Sequence, residues 1–88
     1  MTLSLEQLIG LKVRTQSGLV LGRVKDFELE AETGRIARYV VADGGWLPKL
    51  LSQDLLVDQT QVVQITEAEM IVEDGLVEAK AAVGEAAV

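Results

Sequence analysis

Short runs of alternating apolar and polar residues, separated by glycine-bearing turns, dominate this chain and predict strands rather than helices. Lys12-Val13-Arg14-Thr15 alternates charged and apolar side chains, as a half-buried strand does. Gln16-Ser17-Gly18 supplies turn chemistry, with Gly18 able to take positive φ. A second strand is predicted from about Leu19 to Leu29. Its apolar phase changes on the way: Val20 and Val24 stand at even positions, Phe27 and Leu29 at odd ones. One flat strand cannot keep both sets on one face. The pattern therefore predicts a β-bulge or sharp bend near Lys25-Asp26, with Gly22 allowing close backbone approach. Glu30-Ala31-Glu32-Thr33-Gly34 reads as a hairpin loop with Gly34 near its end. Residues 35–42 form the returning strand, apolar on both faces at its end and so central in a sheet.

The flanks are shorter. Ser4-Leu5-Glu6-Gln7-Leu8-Ile9-Gly10 predicts one helical turn, with Ser4 and Gln7 as a capping box and Leu5, Leu8 and Ile9 toward the core. After the irregular stretch Asp43-Gly44-Gly45-Trp46-Leu47-Pro48-Lys49, strands are predicted at residues 54–57, 62–65 and 70–72, with a polar turn at 58–61 that suits a 3₁₀ helix. From about Leu76 the texture becomes small and alanine-rich. Residues 4–78 are expected to form the domain and 79–88 a flexible tail, with docking onto the domain or a neighbour as the alternative. About six short strands, one or two helical turns and no βαβ unit give an all-β fold. The phase break favours a small closed or partly open barrel.

Composition narrows the chemistry. Among 88 residues there is no cysteine and no histidine, which excludes disulfides, thiol nucleophiles, Cys/His metal sites and imidazole acid–base catalysis. The net charge of −6 does not favour direct contact with a nucleic-acid backbone. The cations of the first half (Lys12, Arg14, Arg23, Lys25, Arg35, Arg38) are expected on solvent-facing strands, paired with Glu28, Glu30 and Glu32. No run is long and apolar enough to span a bilayer, and the N-terminus does not read as a secretory signal, so a cytoplasmic protein is expected.

Three segments together resemble the PRC-barrel family: residues 8–13 (Leu-Ile-Gly-Leu-Lys-Val), residues 17–27 (Ser-Gly-Leu-Val-Leu-Gly-Arg-Val-Lys-Asp-Phe) and residues 33–41, which open Thr33-Gly34-Arg35. That family is named for the cytoplasmic domain of the photosynthetic reaction-centre H subunit and includes the C-terminal domain of a ribosome maturation factor. One departure is Val57, where the family often has proline. The resemblance implies a non-enzymatic interaction or assembly module, with no catalytic residues and no cofactor to carry over.

The candidate residues fit that expectation. Asp26, at the bulge and at a position the family tends to keep acidic, is expected to accept backbone N–H groups; a ligand or proton site is the alternative. Gly18, Gly22, Asp26 and Gly34 are thus structural. Glu67, Glu69, Glu73, Asp74 and Glu78 lack EF-hand spacing and read as a solvated acidic face, so no metal is expected. Trp46, Leu47, Leu50 and Leu51 form an apolar patch that is either an interface anchor or a cap over one barrel end. The expected contact is with another protein, self-association into a homo-oligomer included. The alternatives are a ribosome-maturation factor acting through a ribosomal protein, and a small-ligand-binding barrel.

Overall fold

The structure is a computed structural model that describes residues 1–43 and 54–75. The described residues contain a helical turn α1 (Leu5–Leu8), strands β1 (Lys12–Thr15), β2 (Val20–Glu30), β3 (Arg35–Asp43) and β4 (Leu55–Asp58), a 3₁₀ turn (Gln59–Gln61), and strands β5 (Val62–Ile65) and β6 (Glu69–Val72). All six strands join one sheet in the order β4-β3-β2-β1-β6-β5. Pairing is antiparallel throughout except between β1 and β6, which run parallel.

That order forces the sheet to curl. Its two edge strands, β4 and β5, are consecutive in the chain with only Gln59–Gln61 between them. The edges of a flat six-stranded sheet would lie about 24 Å apart, at about 4.8 Å per strand gap. The connection can span only about 14 Å. The result is the all-β, partly open barrel that the strand pattern predicts; the edge strands β4 and β5 do not pair, so the curled sheet is not closed. The connecting turn is held by its own side chains. The Asp58 carboxylate accepts from the Thr60 amide at 3.0 Å and hydroxyl at 2.9 Å, and Gln61 Oε1 accepts from the Asp58 amide at 2.9 Å.

The expected capping box is present. Ser4 Oγ accepts from the Gln7 amide at 3.2 Å, and Gln7 Oε1 accepts from the Ser4 amide at 2.9 Å. Of the three apolar residues expected inward, only Leu8 is buried, while Leu5 is 60% and Ile9 39% exposed. The helix lasts one turn and Ile9 is already extended, so the three side chains no longer share a helical face.

Strand β2 carries the expected bulge. Val24 pairs with Val41 and Asp26 with Val40, leaving Lys25 unpaired between them. An earlier irregularity sets Leu21 between the pairs Val13–Gly22 and Arg14–Val20. Here the phase expected from the sequence is corrected. Val20 faces solvent at 47% exposure, and Leu21, at 0%, takes the interior position. The cause is Gly22, buried at φ 152, which turns the backbone so that Leu21 and Val24 both point inward despite their odd and even numbers. Leu29 is also exposed, because β2 runs on beyond the part of the sheet that other strands cover. Gly34 ends the hairpin at φ 75, and Gly18 takes φ 104 in the turn before β2.

Val13, Leu21, Val41, Val57, Met70 and Val72 have no exposed surface and form the centre of the core, with Leu8, Leu11, Val24, Tyr39 and Leu55 around them. Phe27, Ile36, Val62 and Ile65 pack on its margin, partly exposed. Burial of such a side chain is worth roughly 1.5–3 kcal/mol.

Candidate interaction surface

The outer face of β2, β3 and β4 is built in cross-strand rows. One row is charged: Glu28 pairs with Arg38 and Arg38 with Asp58 in register, and the Arg38 guanidinium lies 2.9 Å from Glu28. The next row sets Asp26 beside Val40 and Val40 beside Leu56. Leu56 lies between buried Leu55 and Val57, so it faces outward by strand alternation, and half of it is exposed. Lys25, displaced at the bulge, reaches Asp54 at 2.7 Å. The outcome is an apolar pair bordered by ion pairs, with Leu56 on the edge strand β4 and Val40 on its neighbour β3. The sequence signal for it was present in Leu55-Leu56-Val57, apolar on both faces of what proves to be an edge strand.

At the bulge the Asp26 carboxylate accepts from the Phe27 amide at 2.8 Å. The cations pair differently from expectation. Arg38 takes Glu28, but Arg14 and Lys12 go to Glu69, Lys25 to Asp54, and Arg23 donates to the Gly10 carbonyl at 2.9 Å. Arg35 makes no ion pair among the described residues. Register explains the shift to Glu69: the parallel pairing of β1 with β6 puts Lys12 opposite Glu69, with Arg14 one turn of the pleat further on the same face.

The Arg14–Glu69 contact is a bidentate fork, with Nε at 2.8 Å and Nη2 at 3.1 Å from the two carboxylate oxygens. The guanidinium holds the Glu69 carboxyl below the usual carboxylate range, and Glu69 in turn raises Arg14. Asp74 ties the β1–β2 turn to the end of β6, accepting from the Ser17 amide at 3.0 Å and hydroxyl at 2.9 Å, and these bonds lower its pKa. Asp58 is lowered likewise, first by the Thr60 amide. Glu69, Asp74 and Asp58 are therefore separate structural acceptors. Among the described residues, no three potential ligands gather to hold a metal. Nor is any helix there long and apolar enough to cross a membrane. The patch Trp46, Leu47, Leu50 and Leu51 lies outside the described residues, as do Glu78 and the alanine-rich tail.

Residues 1–77 match the PRC-barrel domain. No curated relative matches the chain. One solved structure, of a candidate 16S ribosomal RNA processing protein, RimM, from Pseudomonas aeruginosa, is similar with a TM-score of 0.59 and 25% identity. The likeness covers 81% of this chain and 43% of that one, so this chain spans less than half of its neighbour's length.

Proposed function

Because this chain belongs to the PRC-barrel domain family, we propose that it works as a non-catalytic docking module that holds another protein in an assembly. The observation that carries this reading is the Val40–Leu56 pair, apolar and bordered by ion pairs, whose Leu56 lies on the edge strand β4, which no described strand covers on its outer side. An apolar centre within a charged rim is the composition of a protein interface. An open edge strand adds backbone groups to which a partner can bond. Trp46, Leu47, Leu50 and Leu51 precede β4 closely in the chain, and we assign them to the same contact.

The partner we favour is a basic protein of the small ribosomal subunit or its assembly. The RimM structure is similar over most of this chain, and a net charge of −6 suits a basic protein better than an RNA backbone. Affinity capture with the full chain, followed by mass spectrometry, tests this. Ribosomal proteins retained after nuclease treatment, and lost with Leu56→Asp, are the expected result. Retention by RNA alone, or capture indifferent to Leu56→Asp, would refute it. Light scattering of the chain and of Trp46→Ala separates self-association from contact with another protein.

A further inference from the structure

At the far end of the β2–β3 ribbon lies an open groove of about 400 Å³, lined by Arg35, Ile36, Tyr39 and Gln59. Its polar groups share one property. The Arg35 guanidinium makes no hydrogen bond or ion pair among the described residues, and neither does the Gln59 side chain. Tyr39 is only 3% exposed, yet no described residue accepts a hydrogen bond from its phenol. Buried phenols nearly always find a partner. Burial raises the Tyr39 pKa, so the group stays a neutral O–H at physiological pH. Guanidinium and phenol are both donors here, and the amide can donate as well. A donor-rich wall beside the apolar Ile36 calls for an acceptor, preferably charged, attached to an apolar body.

The charge around the groove sets which anion. Among the described residues that line it Arg35 is the one cation; Glu30 stands opposite Arg35 in register, and Asp58, which precedes Gln59, is already opposed by Arg38, itself paired with Glu28. One positive charge among acids suits a monoanion and disfavours a phosphate chain. The groove is too open to enclose a small molecule, since Arg35 and Gln59 are themselves exposed. Its ligand therefore gains from resting on the adjoining surface as well, and Gln59 directly follows the edge strand β4. We propose that this groove binds the C-terminal carboxylate of a partner polypeptide whose last residue is apolar. Such a chain end carries the anion and the apolar side chain on one carbon, which matches Arg35 beside Ile36. The proposal rests on the docking-module reading and gives it a recognition element.

Amide NMR shifts of the full chain, titrated with acetyl-Ala-Ala-Leu, test it. Saturable shifts confined to Arg35, Ile36, Tyr39, Gln59 and their neighbours are expected. Binding should weaken about tenfold or more with the C-terminal amide of the same peptide, and by a similar factor in Arg35→Gln, which loses one charge-assisted contact. Arg35 is exposed, so that variant should keep a folded spectrum. Equal binding of the amide, shifts elsewhere or no saturable shift would overturn the proposal. So would inorganic phosphate binding as tightly as the peptide. N-acetylleucine binding as tightly as the peptide would reassign the groove to small carboxylates and overturn the polypeptide source. If ribosomal-protein capture is lost with Leu56→Asp while these titrations fail, the docking reading stands and only the groove is lost.

Discussion

The ribbon of β2 and β3 is one continuous ladder with two different halves. Toward the barrel, Leu21, Val24 and Val41 have at most 1% of their surface exposed. Past the Lys25 bulge Tyr39 and Phe27 still pack on the core, but the hairpin end beyond them carries Leu29, 57% exposed, a partly buried Ile36, and an Arg35 whose guanidinium bonds to no described residue. Local sequence does not cause the difference, since both halves hold β-branched and apolar residues. Cover does. The near half is flanked by β1 and, at Val41, by the start of β4; β4 runs on beside Arg38, Tyr39 and Val40 past the bulge, and only the hairpin end beyond them, from Leu29 to Ile36, has no strand beside the ribbon among the described residues. The near half therefore supplies more of the stability, while the hairpin end leaves the Arg35 guanidinium without a partner among the described residues.

Truncation should break this symmetry most sharply. Leu21→Ala empties a fully buried site and is expected to cost about 3 kcal/mol, within the usual range of roughly 2–5. Leu29→Ala, eight positions on in the same strand, should change stability by less than about 0.5 kcal/mol. Urea denaturation of both variants reads the contrast, and similar costs would mean that the far half is covered after all. The hairpin end should fall between them. Gly34 sits at φ 75 with nothing within 4 Å of where a Cβ would stand. Gly34→Ala therefore meets only backbone strain, about 1 kcal/mol. A loss much larger than that would show that the far turn packs against something.

How far this division could be read beforehand depends on whether its cause was local. The Lys25 bulge was legible because the apolar phase changes within one strand. The Gly22 turn was not, since Val20 and Leu21 are equally apolar and only the backbone angle decides which faces in. The parallel contact of β1 with β6 joins residues far apart in sequence, so nothing near Arg14 announced Glu69. Arg35 seemed provided for, with Glu30 across the hairpin, yet Glu30 Oε1 accepts from the Thr33 hydroxyl at 3.0 Å instead. The Trp46 patch, the most conspicuous feature of the sequence, falls outside the described residues. Leu56 and Val40, less conspicuous, form an apolar cross-strand pair on the outer face within them.

Acid offers a finer probe of the same contrast. Glu69 and Asp74 fasten β6 to β1 and its turn on the near side, while Asp58 holds the turn beside the far half. All three carboxyls are held below their ordinary range by the bonds they accept. The unfolded chain then binds more protons than the folded one at low pH. The stabilisation is complete above pH of about 5 and is lost as pH falls through the ordinary carboxylate values near 4 toward the lower folded ones. Stability measured from pH 6 to pH 2 should decline along that course, and Glu69→Gln should flatten it. An unchanged slope in that variant would mean that the Arg14–Glu69 fork contributes nothing in solution.

The smallest expected effect is the most informative about the far half. Tyr39 packs with the core, but its phenol bonds to no described residue, so the oxygen should contribute little to folding. Tyr39→Phe keeps the ring and removes only the hydroxyl. Stability at neutral pH should stay within about 0.5 kcal/mol of the parent, because no protein partner is left unsatisfied. Alkaline behaviour should change. Burial raises the Tyr39 pKa, so the folded state holds its proton more tightly than the unfolded one. That contribution is intact below pH of about 10 and is lost as pH rises toward the folded value. The parent should weaken in that window and Tyr39→Phe should weaken less. Carboxylate binding at the groove should meanwhile fall several-fold in the variant. A loss of 1 kcal/mol or more at neutral pH would mean that the hydroxyl already has a structural partner. The donor on which the groove depends would then be spent inside the fold.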